Sequence, residues 1–345
     1  MKISKTTYNE LLDNIGSTLL RARENAVKAV NAELVKANWL IGKYIVEYEQ
    51  RGKVRAEYGT ELLVLLSRDL KTRFGKGFSR SNLQLMRLFY IKYPEFQAVS
   101  VKSGICQTPS GILLSWSHYA ELLTVSDNLA RSFYEKQAIL ENWGAREMKR
   151  QIDSALFQRL ALSTDKKGVL TLAEKGQEIK SPKDLIKNPY ILEFLGLPQN
   201  SLIKERGLEK KLIENLQQFL LELGKGFSFV ARQFKITIDN EHNFVDLVFY
   251  HRILKCFVLI ELKTRKVKHQ DIGQMNYYLN YFKEEENIEG DNEPIGIIIA
   301  ADKHEFTVKY ATGGITNRIL ISKYQLYLPD QEQLENKVKE ILEND

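Results

Sequence analysis

Apolar residues recur at helical spacing through the first fifty positions of the chain. Leu11, Leu12, Ile15, Leu19 and Leu20 lead into Ala26, Val27, Val30, Leu34, Trp39, Leu40, Tyr44 and Ile45, which predicts one long helix or two joined ones over 6–50, interrupted at Gly42. A second amphipathic segment, 59–74, ends at Gly75-Lys76-Gly77. Ser79 or Ser81 is placed to cap a third helix that runs through Tyr90 and closes at Pro94. Residues 99–111 carry Gly and Pro punctuation and read as a loop. Helical patterns resume over 117–123, 126–141 and 146–160, with Trp116, Tyr119, Phe133, Tyr134 and Trp143 as an aromatic core. His118 has no second ligand at metal spacing and reads as a hydrogen-bonded helix-start histidine.

The pattern then breaks down, and a linker is placed at 166–185 between a helical domain, 1–165, and a second domain, 186–345. In that second domain 189–198 reads as a short helix between prolines, and 204–223 as a strongly amphipathic helix carrying Glu214 and ended by Gly224. Strands are expected at 227–238, 243–250 and 256–263, then a helix at 269–282, an acidic loop at 284–293, a buried strand at 294–300, a short helix at 305–311 and a last strand at 319–328. The fold class is therefore α + α/β, with an all-α domain followed by a mixed sheet carrying helices on its faces.

Charge sharpens this division. The 345 residues carry a net +6, but residues 1–160 hold 24 basic against 16 acidic residues, and the rest 26 against 28. Within 51–92 ten residues are basic and three acidic. The basic face and the carboxylates thus lie in different halves, as expected if one part grips a polyanion and the other acts on it. No apolar run is long enough to span a bilayer, no membrane partner is expected, and two cysteines, Cys106 and Cys256, fit a reducing, cytoplasmic setting.

Candidate chemistry sits on two strands. Asp246 lies in Asn243-Phe-Val-Asp-Leu-Val-Phe-Tyr250, while Glu261 and Lys263 follow the apolar run Cys256–Ile260 and, two residues apart, share a face. Two carboxylates can hold a hard divalent cation, and an adjacent ammonium can stabilise developing anionic charge on a phosphate. A strand end bearing a surface salt bridge has the same sequence pattern. Asp271, Glu222 and Glu241 read as solvated surface charges. In the first domain, 59–90 has the form of a helix-turn-helix, on which Lys76, Arg80, Asn82, Gln84 and Arg87 could meet phosphates or base edges. Two packed helices of an ordinary α domain read the same way.

Taken in order, Asp246, Glu261-x-Lys263 and Gln274-x-x-x-Tyr278, with Glu214 on the preceding helix, resemble the PD-(D/E)XK nuclease superfamily and, more narrowly, the YhcG-type proteins. Phe219–Phe227, Val245–His251, Ile260–Lys263 and Gly273–Leu279 carry that resemblance, with Leu114–Tyr119 and Phe74–Ser79 in the first domain. The resemblance implies a restriction-endonuclease-like sheet domain and Asp246 and Glu261 as metal ligands. It implies Glu214 as an additional acid, Lys263 as a base-side or charge-stabilising group, and Gln274 and Tyr278 as supports of the site. Val245 stands where the superfamily's proline would. The expected activity is Mg²⁺-dependent (Mn²⁺ also accepted) hydrolysis of DNA, RNA not excluded, in a restriction, defence or recombination setting with subunits of such a system. Because one site cuts one strand, a homodimer is expected for double-strand cleavage. The rival expectation is a nucleic-acid-binding or complex-assembling protein whose nuclease site is accessory or inactive.

Overall fold

The computed structural model describes residues 5–51, 56–94, 96, 114–162, 165–187, 189–198, 203–238, 240–302 and 318–343. The loop expected at 99–111 and the short helix at 305–311 lie outside them. Contacts divide the chain into two units, Met1–Lys149 and Arg150–Asp345.

The first unit begins with a single 47-residue helix, α1 (Lys5–Arg51). Gly42 does not interrupt it. A Cβ at that position would stand 2.0 Å from the carbonyl oxygen of Met86, so glycine is what lets the α1 backbone press against α3 (Arg80–Lys92). Between them in sequence comes α2 (Ala56–Phe74). Ser79 caps α3, its hydroxyl accepting from the Asn82 amide at 3.1 Å. Ile45, Leu63, Leu83 and Met86 form the core of the three. Three further helices follow: α4 (Trp116–Leu122), α5 (Asn128–Glu141) and α6 (Ala145–Asp153). His118 is satisfied as expected: its Nδ1 accepts from the Ser115 amide at 3.2 Å and its Nε2 donates to the Trp143 carbonyl at 2.9 Å.

The division falls within α6, earlier than the linker expected at 166–185. The helix expected over 146–160 is in fact two, α6 and α7 (Leu156–Ala161), separated by Ala155 in the left-handed region. The expected linker is instead occupied by α8 (Lys166–Lys175), which Asp165 caps and which buries Val169 and Ala173, one helical turn apart. The segment between the prolines gives a two-residue strand, β1 (Tyr190–Ile191), and a 3₁₀ turn, because its backbone bonds to a sheet edge: the Leu192 amide donates to Gln325 O at 2.7 Å. The helix expected over 204–223 breaks at Asn215 into α9 (Glu205–Glu214) and α10 (Leu216–Leu223).

The sheet follows with β2 (Phe227–Ile238), β3 (Glu241–His251), β4 (Cys256–Lys266), β5 (Ile295–Asp302) and β6 (Arg318–Gln325), in the order β1-β6-β5-β4-β3-β2. β2, β3 and β4 form an antiparallel meander, and β4, β5, β6 and β1 run parallel. Helix α11 (His269–Tyr281) lies between β4 and β5, and α12 (Gln331–Glu343) closes the chain. Leu208, Leu212, Phe219 and Leu223 of α9 and α10 pack with Leu247, Ile260, Leu262 and Ile297. Ile272, Met275 and Leu279 of α11 pack with Val248, Leu259 and Ile298. Strands covered on both faces lose the polar alternation of a half-exposed strand, which explains the continuous apolar runs in β4 and β5.

Two acids expected at the surface are buried. Glu222 accepts from Arg159 Nη1 at 2.7 Å, from Arg150 Nη2 at 3.3 Å and from the Ile191 amide at 2.9 Å, while Lys187 donates to its backbone carbonyl. Arg159, fully buried, also donates to the carbonyls of Ser154 and Pro189, both at 2.9 Å. This network binds residues 150–161 to the sheet unit. Asp271 caps α11 and is held bidentately by Arg265 at 2.7 Å. Glu241 is exposed, as expected.

Candidate active site

The β3–β4 ladder ends at Leu247 opposite Ile260, while β4 goes on pairing with β5 through Lys263 and β3 goes on pairing with β2. The next residues, Asp246 and Glu261, therefore stand where two strands part, and their carboxylates fill the opening. The Asp246 amide donates to Glu261 Oε1 at 3.2 Å, and the Leu262 amide donates to Asp246 Oδ2 at 2.9 Å. Each acid thus satisfies a main-chain donor that the broken ladder leaves behind. Lys263, two residues on and on the same face as Glu261, donates to Glu261 Oε2 at 2.9 Å and lies 3.8 Å from Glu205 Oε2. Glu261 and Lys263 are buried and Asp246 half-buried, with Glu205 and the exposed Gln233 on the open side.

The helical acid that lies beside Asp246 is on a different turn of α9 from Glu214, the one expected. Glu214 points to solvent with a side chain 55% exposed, 3.8 Å from Lys210, and does not join Asp246. It follows Leu212 by two residues, which puts it on the far side of α9 from the buried stripe. Glu209 is buried instead: its Oε2 accepts from Gln233 Nε2 at 2.8 Å, and the same nitrogen donates to Asp246 Oδ1 at 3.1 Å. Glu205, Leu208, Glu209 and Leu212 follow the i, i+3, i+4, i+7 pattern of one helix face, a signal in the sequence that the strength of the 204–223 apolar pattern obscured. Gln233 had no such signal. It sits at φ 48°, a left-handed residue inside β2.

Gln274 and Tyr278 are brought together one turn apart on α11. Gln274 Nε2 donates to Tyr278 Oη, which donates to the Phe244 carbonyl at 3.1 Å, two residues before Asp246. Tyr278 is both a core residue and a tether of β3 to α11.

Burial, and then the neighbouring Asp246, push the Glu261 carboxyl up to about 7, and burial raises Asp246 as well. Glu209 is raised by the same two causes. Burial alone would lower Lys263, but Glu261, Asp246 and Glu205 outweigh it and hold the ammonium protonated. Hard, crowded oxygen donors with raised proton affinity are what a divalent cation relieves. Among the described residues no three His, Cys, Asp or Glu side chains gather into a metal cage. Two carboxylates, Asp246 and Glu261, meet here, too few for a closed protein cage but enough for a hard divalent ion that keeps its waters. The residues present fit such an ion, with Asp246 and Glu261 as its holders.

In the first unit the candidate nucleic-acid residues separate into two groups. Asn82 accepts from Trp116 Nε1 at 2.8 Å and donates to the Gly77 carbonyl, and Arg87 holds Glu49 at 2.8 Å, so both are committed to internal contacts. Lys76, Arg80 and Gln84 are exposed; Lys76 also lines a concavity of about 650 Å³ with Lys71, Ser79 and Ser81. No helix among the described residues is long and apolar enough to cross a membrane.

The chain is 38% identical to the "Putative nuclease YhcG" of Escherichia coli strain K12, over 96% of its own length and 93% of that protein's. A repair endonuclease from Pyrococcus abyssi aligns at 21% identity over 39% of this chain and 50% of that one, with a TM-score of 0.26. An EndoMS–dsDNA complex aligns at 17% identity over 39% and 50%, with a TM-score of 0.27. Residues 14–159 match the DUF1016 N-terminal domain and residues 183–339 the YhcG PDDEXK nuclease domain, and the chain belongs to this YhcG family of nucleases.

Proposed function

We propose that the chain is a Mg²⁺-dependent DNA endonuclease whose site is Asp246, Glu261 and Lys263, with Glu209 in place of Glu214 as the helical acid. The observation that carries this reading is the parting of β3 and β4, where the half-buried Asp246 meets the buried Glu261 and Lys263. A divalent ion held by Asp246 and Glu261 would polarise the scissile phosphate and activate a water. Lys263 serves as a fixed positive charge for the anion that develops on the phosphate. Gln233, donating to both Glu209 and Asp246, fixes their separation, and Tyr278 fixes the β3 backbone that carries Asp246. Lys76, Arg80 and Gln84 contact the DNA backbone from the helical unit, a role supported by their exposure and the surrounding basic charge.

The test is cleavage of plasmid, branched DNA and RNA with Mg²⁺ or Mn²⁺ against EDTA. Cutting of DNA that requires the metal and is lost in Asp246→Ala and Lys263→Ala is the expected result. Nucleic-acid binding without cutting in the wild type would favour a binding protein with an inactive site.

A further inference from the structure

Helix α1 has two opposed apolar faces. Val35, Trp39, Gly42 and Val46 lie within about 60° of one another at 3.6 residues per turn and form the face packed on α3. The opposite side carries Tyr8, Leu12, Ile15, Leu19, Val30 and Leu34, each about half exposed or more, and continues into Tyr44 and Tyr48. The spacing follows an eleven-residue repeat: Tyr8, Leu19, Val30 and Ile41 make one row and Ile15, Ala26, Ala37 and Tyr48 another. Eleven residues return a helix to within about 20°, so the stripe stays on one side for the whole length of roughly 70 Å. From residue 8 to residue 34 no side chain is buried. Among the described residues this stretch lacks the packing from which helices in proteins draw most of their stability.

What covers it is written in the stripe. Between Tyr8 and Tyr48 two charged residues fall within it, Arg23 and Glu33. Turned end for end about residue 28, the stripe complements itself: Tyr8 meets Tyr48, Leu12 meets Tyr44, and Ile15 meets Ile41. Small residues then face large ones, Ala37 against Leu19 and Ala22 against Leu34, and Arg23 of one copy faces Glu33 of the other. A parallel pairing in register would set Arg23 against Arg23 and Glu33 against Glu33. Lys36 holds Glu33 at 3.0 Å on its own helix, an exposed pair that rearranges at little cost. The antiparallel pairing also brings the apolar N-terminal third of one α1 to a groove of about 710 Å³ on the other copy, lined by Ile41, Tyr44, Ile45 and Tyr48 of α1 and Leu62, Leu65 and Leu66 of α2.

We infer that α1 is the dimerisation element of this chain, pairing antiparallel with the α1 of a second copy about a two-fold axis near residue 28. The contact needs nothing from the nuclease site, so its failure and the failure of the catalytic assignment are read separately.

The experiment is the mass of the full-length chain in solution by light scattering, with helix content followed by circular dichroism. The wild type has twice the 39.9 kDa chain mass. Leu12→Glu with Ile15→Glu gives a monomer that keeps the core of the first unit, since neither side chain is in it, and loses helix only from the uncovered part of α1. Arg23→Glu or Glu33→Arg alone weakens the dimer at least about tenfold, and the two together restore it. In a Cys106→Ser background, Ala22→Cys with Leu34→Cys cross-links on oxidation and Ala22→Cys alone does not. A monomeric wild type at tens of micromolar, a dimer indifferent to the two glutamates, charge reversals that the double swap does not rescue, or cross-linking by Ala22→Cys alone would each overturn the proposal.

Discussion

Two buried charge clusters in the sheet unit use the same residue types to opposite ends. Around Glu222, two arginines and a backbone amide take up the carboxylate, with Lys187 on its carbonyl. Burial there would raise the Glu222 carboxyl, but Arg159, Lys187 and Arg150 outweigh it and hold it below its ordinary value. Around Lys263, one ammonium serves a network of four carboxylates, Glu205, Glu209, Asp246 and Glu261, and three of them are pushed up. The first cluster holds its carboxylate charged with its own cations and joins segments distant in sequence. The second leaves three carboxyls above their ordinary values, because burial and mutual repulsion outweigh the cations near them. Burial does not separate structural from functional charge; completeness of compensation does.

The sharpest way to break that comparison is to remove one member of each. Asp246→Asn should lower metal-dependent cleavage by about 10³-fold or more, given the several kcal/mol that metal-assisted chemistry supplies. It should leave the midpoint of chemical denaturation unchanged or higher, because a crowded charge is gone. Glu222→Gln should do the reverse, costing about 3–5 kcal/mol of stability by leaving the buried guanidinium of Arg159 without its counter-charge. Equal effects of the two on stability would erase the distinction. Next in size, Glu209→Gln should reduce cleavage roughly ten- to a hundredfold, a loss of the order seen for supporting groups around a metal site, while Glu214→Gln leaves it unchanged. If Glu214 proves the more sensitive, the helical acid has been misassigned.

A smaller effect lies in pH. Glu222 and Asp271 both have folded-state values below their unfolded ones, Asp271 because Arg265 and the Lys268 amide outweigh its burial. Their contributions are therefore present above the ordinary carboxylate range and are lost as pH falls through the lowered values. Thermal melts from pH 6 downward should show stability falling across the acid range, with a shallower slope in Glu222→Gln. An unchanged slope would mean that other carboxylates govern acid unfolding.

Much of this was legible beforehand because it rests on local periodicity. The meander, the placing of Asp246 beside Glu261, and the shared face of Glu261 and Lys263 follow from strand alternation and a hairpin. So did Ser79 as a cap and Gln274 with Tyr278 on one helix face. What could not be seen was decided by tertiary bonds. The polar composition of 166–185 hid α8, which only two small apolar residues bury. Glu222 belongs to an apolar helix, yet its partners lie 31 and 63 residues away. The resemblance implies Glu214, whereas the helix face marked by Leu208 and Leu212 carries Glu209.

One residue gives these observations a further consequence. Gln233 keeps a left-handed backbone at a position where glycine would be at ease, a conformation that costs a side-chain-bearing residue about 1–2 kcal/mol. Its amide bridges Glu209 and Asp246 in return. Gln233→Gly should therefore yield a sturdier but slower enzyme, with a higher melting temperature and weaker Mg²⁺ affinity, a trade-off between durability and performance lodged in a single torsion angle.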